Sequence, residues 1–503
     1  LARLQRTFII LTTFVSIVFL IFIFGGWEAA ETVHHENKNV ITKFFFLHKH
    51  CTLGPQNVRQ KAVVAAFKHA WKGYKTYAWG HDSLRPITKR YSEWINMGLT
   101  IVDSLDTMII MGLDDEFEEA RDWVAESLKF NRNIFVSFFE TTIRILGGLL
   151  SAFHLSGDKI FMHRAVELGN RLISAFNTSS FIPYSDVNLF GRQPSWNGDS
   201  SLSEIASVQL EFRDLSRIIN NSTFEEISFR TSQHIHNLGC IEHDGLCGMF
   251  ISPNTGEFRE PTTITIGARA DSYYEYLLKQ WLQTGKTIDW LRDDYNKTIA
   301  AMEKLLLRYS KPNDFAYFGE ILPGNVFSPK MDHLACFIAG TLALGAMNGM
   351  PDSHLELARK IGSTCKRMYQ TATGLGPEIV YFNEIPGHTE DIRIKPLDAH
   401  SLLRPEAIEA WFYLYRATND KIYQTWGWEA FLAIESYAKV NNGYSSVHSV
   451  KHVPVTHRDM MESFFLAETL KYLYLLFADE QNEIPLDKFV FNTEAHPLPI
   501  YDH

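Results

Sequence analysis

From Arg59 onward the chain is a succession of segments whose apolar residues recur at three-and-four spacing, and this periodicity limits the fold more than any other feature. Examples are RQKAVVAAFKHAWKGY, GLTIVDSLDTMIIMGL, TTIRILGGLLSAFHLSG, SYYEYLLKQWLQTG, RPEAIEAWFYLYRATND and MMESFFLAETLKYLYLLFAD. Several end in a glycine or a short polar turn, the usual stop of a helix. About twelve helices of roughly 12 to 18 residues, joined by short loops, predict an all-α domain over 56–503. Pieces such as GMFISPNTGEF and GYSSVHS read as short β-hairpin decorations.

Polar residues sit inside or at the ends of these apolar helices: Glu140, Glu204, Asp271, His333, Glu406 and Glu468. They recur at intervals of about 62 to 73 residues, the length of two helices and two loops. A ring of αα-hairpins would return one polar residue per repeat to the same end of its axis, and 56–503 has room for about seven hairpins. An ionised carboxylate on an apolar helix costs several kcal/mol unless paired, solvated or metal-bound. For any one of these acids a local ion pair at a helix end is sufficient explanation. Arg144 lies four residues after Glu140, and Arg404 two before Glu406. Convergence of all of them on one cavity is the functional alternative. It would supply what glycoside hydrolysis needs, one carboxyl to protonate the leaving oxygen and one carboxylate to activate water.

Other chemistries fit less well. Lys+Arg 48 against Asp+Glu 58 leaves a net charge of −10, a poor match for nucleic acid. Gly285-Lys286-Thr287 imitates the end of a phosphate loop, but Gln280 stands where a glycine is required, so no nucleotide site is expected. There is no HExxH, GxSxG or EF-hand pattern. His234 with His236, or His48 with His50, are read as surface histidines rather than metal pairs.

Ahead of the helical region, Phe8 to Phe24 is free of charge for roughly 17 residues, the lower limit for a helix crossing hydrocarbon. Arg3 and Arg6 precede it and Glu28 and Glu31 follow, which orients it as a type II signal anchor with the remainder luminal. A cleaved signal peptide ending near Ala29 and Ala30 is the rival reading. The expected organisation is a cytosolic tail over 1–7, the anchor over 8–26, a luminal stem over 27–55 and the helical domain over 56–503. Because the first residue is Leu, the tail is expected to be longer than the sequence shows. Sequons at Asn177, Asn220, Asn221 and Asn296 agree with a luminal compartment. So do five cysteines with no CxxC or zinc spacing. Cys336 with Cys365 would close a loop of about thirty residues. Cys240 and Cys247 are close enough to pair locally, leaving Cys51 odd; buried free thiols are the alternative.

Six segments carry a resemblance. FFETTIRILGGLLSAFHLSG (138–157), GARADSYYEYLLKQW (267–281), KMDHLACF (330–337), LLRPEAIEAWFYLYRATND (402–420), MESFFLAETLKYLYLLF (461–477) and FNTEAHPLP (491–499) resemble the class I α-1,2-mannosidases, glycoside hydrolase family 47. The likeness runs in order from about Arg59 to Ile500. It implies an (α/α)7 barrel and inverting removal of α-1,2-linked mannose from Man9-type N-glycans, with one calcium ion. Residue by residue, it implies Glu140 as proton donor, Glu406 as the base that activates water, and Asp271 as a third catalytic acid. Thr493 would bind calcium through hydroxyl and backbone oxygen. Glu204, Glu409, Glu468 and Glu494 would orient the surrounding waters. Arg144, Arg404, His333 and Phe464 would line the sugar pocket, with Phe464 as a stacking face. Arg269, within GARAD, resembles the endoplasmic-reticulum branch and implies trimming chiefly from Man9 to Man8, in that organelle or the early Golgi. Ala339 departs from the family, which usually has Pro there. Some relatives act instead as mannose-binding quality-control factors with weak or no hydrolase activity. The complete set Glu140, Asp271, Glu406 and Thr493, with no long extension after His503, favours the enzyme.

Overall fold

The computed structural model describes residues 54–194, 198–479 and 483–501. The expected tail and anchor, nearly all of the stem, and Cys51 lie outside them. Among the described residues no helix is long and apolar enough to cross a membrane.

Fifteen helices carry the architecture: α1 Val58–Tyr77, α2 Leu99–Asp103, α3 Leu105–Met111, α4 Asp114–Glu126, α5 Gly147–Ser156, α6 Lys159–Leu172, α7 Gln209–Ile219, α8 Thr223–Leu238, α9 Asp271–Gln283, α10 Asp289–Leu305, α11 Phe337–Met347, α12 Asp352–Met368, α13 Glu406–Thr418, α14 Lys421–Tyr437 and α15 Leu470–Leu476. The odd-numbered helices from α3 to α15 pack each against the next, and α15 returns to α3, so they close a ring. Each is backed by a second helix: α4, α6, α8, α10, α12 and α14 follow their partners in sequence, and α1 backs α15.

Burial separates the two layers. In α9 every residue from Ser272 to Gln283 is buried, and in α13 every residue from Ala407 to Tyr415. On α4 only Ala120 and Val124 are buried, the single stripe of a helix with one face in water. Inner helices must therefore bury polar side chains, and those must find partners.

Local chemistry sets the ends. Asn57, Asp158 and Asp420 accept from the backbone N–H groups of the first turns of α1, α6 and α14. Gly112, Gly157 and Gly239 stop α3, α5 and α8 in the left-handed conformation.

Three expected helices are interrupted. GLTIVDSLDTMIIMGL breaks at Ser104 into α2 and α3. The segment entering α5 is a π-helix over Thr141–Leu146, and the one entering α15 is a π-helix over Phe465–Thr469. Each inserted residue redirects the side chains before it, and such bulges gather at functional sites. Here they adjoin Glu140, Arg144, Phe464 and Glu468.

The strands form small antiparallel sheets of two or three strands, some of them hairpins and others pairing segments about fifty residues apart. One pairs Phe489–Phe491 with Pro497–Pro499 and contacts α5, α7 and α9, so it plugs the ring from inside. The approach is close: a Cβ on Gly147 would lie 2.7 Å from Asn492 Nδ2 of the plug, and one on Gly148 2.7 Å from the carbonyl oxygen of Val102. Disulfides join Cys240 to Cys247 and Cys336 to Cys365. Asn177, Asn220 and Asn221 are exposed, whereas Asn296 lies within α10 with its Thr298 buried.

Candidate active site

At the open side of the plug lies a cavity of about 370 Å³, within the roughly 300 to 1,000 Å³ usual for small-molecule clefts. Glu140, Arg144, Glu204, Arg269, Asp271, Arg404, Glu406, Glu409, Phe464, Glu468, Thr493 and Glu494 all line it. These residues come from five separate helix N-termini or bulges and from the plug turn, so only ring closure brings them together. His333 stands behind the wall, 2% exposed, rather than in the lining. Its Nδ1 lies 2.7 Å from Glu406 Oε2 and its Nε2 lies 2.9 Å from the Tyr369 hydroxyl.

The carboxyl groups have different surroundings. Burial raises Glu406, but the hydrogen bond and charge of His333 and the charge of Arg404 outweigh it and hold this carboxyl below its usual range. Burial pushes Asp271 up to about 7, against hydrogen bonds from Ser203 Oγ at 2.7 Å and Ser272 N–H at 2.9 Å. Glu140 Oε2 accepts from Arg144 Nε at 2.7 Å, the pair anticipated from their spacing. Arg404 does not pair with Glu406 as sequence proximity suggested. Its Nε donates to Glu378 Oε2 at 2.6 Å. Leu403, immediately before it, holds a left-handed φ of 62°, and Arg269 one of 77°. Bulky residues adopt such angles only where the surroundings impose them.

Deeper in, burial raises Glu409 to about 8, with Lys279 opposing and Glu275 adding to the rise. Burial and the neighbouring carboxylates Glu494 and Glu406 raise Glu468 well above its ordinary value. Glu494 is likewise raised by burial, against the opposing charge of Arg144. Glu204 also shapes its own helix start, because its Oε2 accepts from Ser201 N–H at 2.7 Å and closes a capping box with the Ser201 side chain. Arg144 and Arg404 each stand over the Phe464 ring, 5.8 and 5.6 Å from its centroid.

Sequence reasoning missed Asp103, Ser203, Glu275, Lys279 and Glu378. Ser203 and Glu275 line or touch the site. Lys279, 1% exposed, pairs with Glu275 and lies 4.0 Å from Glu409. Asp103, Glu275 and Lys279 carry the same signal as the acids that were found, a charge inside an apolar helix. Ser203 and Glu378 carry none.

Among the described residues no three His, Cys, Asp or Glu side chains converge as a metal cage. The lining nevertheless suits a hard cation. Its donors are oxygens, no cysteine or histidine takes part, and buried carboxyls outnumber the guanidinium groups. Thr493 stands at the tip of the plug turn with its N–H on the Tyr276 hydroxyl at 3.3 Å. A cation there would take Thr493 oxygen and water, with the carboxylates one layer out.

Residues 66–500 match the model of Glycosyl hydrolase family 47. The chain is 53% identical over 455 residues to the endoplasmic reticulum mannosyl-oligosaccharide 1,2-alpha-mannosidase of Rattus norvegicus, covering 89% of this chain and 69% of that protein. It is 52% identical over 452 residues to the Homo sapiens protein of the same name, covering 88% and 64%. Among solved structures it resembles the alpha-1,2-mannosidase from Trichoderma reesei, with a TM-score of 0.83 and 30% identity over 89% of this chain and 100% of that one. With the match spanning nearly the whole helical ring and its cavity, the chain belongs to glycosyl hydrolase family 47.

Proposed function

We propose that the chain hydrolyses terminal α-1,2-linked mannose from Man9GlcNAc2-type N-glycans, mainly Man9 to Man8, with inversion and with calcium as cofactor. It would act in glycoprotein maturation and quality control, in the endoplasmic reticulum or early Golgi, as a luminal (α/α)7 domain behind a type II anchor. The observation that carries this reading is the pair of contrasting acids in one cavity: Glu406, held low, and Asp271, raised to about 7. Opposed environments of this kind separate base from acid. The relatives' names support the bond specificity.

In this mechanism Glu406 accepts the proton of the attacking water. His333 and Arg404 keep it ionised and so able to accept, and Tyr369 fixes the imidazole from its other side. The leaving oxygen takes its proton from the opposite group of acids. The family resemblance gives that role to Glu140; the protonation of Asp271 near neutral pH favours Asp271. Phe464 offers an aromatic face to the sugar, and Arg144 and Arg404 donate to its hydroxyls. Arg269, exposed at the rim, would meet the outer branches of the glycan. Thr493 would hold calcium, with Glu204, Glu409, Glu468 and Glu494 orienting its waters; when bound, the ion would anchor vicinal sugar hydroxyls and polarise water.

The test is incubation with Man9GlcNAc2, with and without a calcium chelator, following released mannose and its anomeric configuration. Release of β-mannose that stops on chelation supports the reading. Glycan binding without release at saturating calcium would favour the mannose-binding quality-control role instead.

A further inference from the structure

Beneath the cavity floor the structure buries a second set of charges that the proposed mechanism does not use. Asp103 at the end of α2, Asp106 in α3, Lys471 in α15 and His496 of the plug are all fully buried. His496 Nδ1 lies 2.8 Å from Asp106 Oδ2, and its Nε2 lies 3.1 Å from Asp103 Oδ1. A neutral imidazole has one N–H and one lone pair, so it cannot donate to two carboxylates at once. Both ring nitrogens facing carboxylates make this side chain an imidazolium. Lys471 completes the balance: its Nζ lies 2.9 Å from Asp106 Oδ1 and donates at 2.6 Å to the carbonyl of Ala495 in the plug turn. Ser151 Oγ donates to Asp106 Oδ2 at 2.9 Å.

The cluster reaches the cavity wall through Asp103. The second oxygen of Asp103 lies 3.6 Å from a terminal nitrogen of Arg144, and the Asp103 carboxyl also meets Ser463 and Glu494. Arg144 in turn holds Glu140 through Nε and Glu494 through the same terminal nitrogen that faces Asp103. The turn that bears His496 also bears Thr493 and Glu494. Asn492 fixes that turn by accepting from the N–H groups of Glu494 and His496 at 2.9 and 2.8 Å.

We infer that Asp103 and His496 are positioning residues for the glycosidase reaction: the imidazolium fixes Asp103, and Asp103 sets where the Arg144 guanidinium presents Glu140 and Glu494 to the sugar. Neither residue lines the cavity, so both act through the groups that Asp103 meets there, Arg144 first. The inference rests on the glycosidase reading above.

The test uses the calcium-loaded chain with Asp103→Asn, which keeps shape and removes charge, and with His496→Gln. Ser151→Ala is the control, because it loosens Asp106 on the side away from Arg144. Each is measured for thermal unfolding and for kcat and KM on Man9GlcNAc2, per folded molecule. Asp103→Asn and His496→Gln are expected to lower kcat about tenfold or more with little change in KM, the effect of misplaced groups rather than lost binding. Ser151→Ala is expected to lower the unfolding temperature and leave kcat intact. Asp103→Asn combined with Arg144→Lys is expected to lose no more than Arg144→Lys alone, because both interrupt one path. Unchanged kcat in Asp103→Asn and His496→Gln, an equal loss in Ser151→Ala, or losses that multiply with Arg144→Lys would each overturn the inference while the unsubstituted chain still releases mannose. Absence of release by the unsubstituted chain would overturn the glycosidase reading and the inference with it.

Discussion

Replacing Ser203 by Ala removes the 2.7 Å hydrogen bond from its hydroxyl to Asp271 Oδ1 and leaves the Ser272 N–H at 2.9 Å in place. That hydroxyl bond favours the ionised carboxylate and partly offsets the burial that raises Asp271 to about 7. A hydrogen bond to a charged acceptor contributes about 1.5 to 3 kcal/mol and one to a neutral acceptor about 0.5 to 1.5, so the differential is about 1 to 1.5 kcal/mol. At 1.36 kcal/mol per unit, this is about one pH unit. Losing a bond that stabilises the charged form raises the pKa, so Asp271 keeps its proton to higher pH. If Asp271 supplies the proton, the alkaline limb of kcat/KM moves from near pH 7 to about pH 8 in Ser203→Ala. The acid limb, set by Glu406, stays where it is. The assay is mannose release from Man9GlcNAc2 at subsaturating concentration across pH 4 to 10, with calcium constant and saturating. An alkaline limb that does not move, or moves downward, refutes Asp271 as the proton carrier and returns the role to Glu140.

Glu406→Gln is expected to retain glycan affinity, read by calorimetry, while turnover falls by two orders of magnitude or more, about what a removed general base costs; equal loss of affinity and turnover would show that Glu406 is not the base. Asp82 is fully buried and accepts from five backbone N–H groups, those of Trp94, Ile95, Asn96, Met97 and Leu99, so it folds the loop leading into α2 around one carboxylate. Asp82→Asn turns a donor toward at least two of them and is expected to cost about 2 to 6 kcal/mol, measured by denaturant unfolding; a change below about 1 kcal/mol contradicts the argument. Cys365→Ala opens the bridge to Cys336, 29 residues away, and should cost about 3 to 4 kcal/mol on the chain-entropy model, with the substituted chain losing the sensitivity to reductant that this bond confers.

The helical class was legible because each segment writes its own three-and-four period, a property of neighbours along the chain. The same local signal exposed Glu140, Asp271, Glu406 and Glu468, whose charge conflicts with the apolar residues beside them. Asp103, Glu275 and Lys279 carry the same conflict and were overlooked, because they fall outside the repeated spacing that singled out the others. Residues without that conflict stayed hidden: Ser203 is an ordinary polar residue until α9 brings Asp271 to its hydroxyl, and Glu378 becomes Arg404's partner only through packing.

What the sequence alone determined was a ring-forming set of helices, a repeated polar position in them, and the motifs of a glycosidase family. Tertiary structure decided the rest: the π-helical turns before α5 and α15, the place of His333 behind Glu406 rather than in the cavity, and the opposite protonation tendencies of Glu406 and Asp271. The physical reason is range. Periodicity depends on residues three and four apart, whereas a carboxyl's charge state depends on burial and on partners tens to hundreds of positions away, which only the closed ring brings within hydrogen-bond distance.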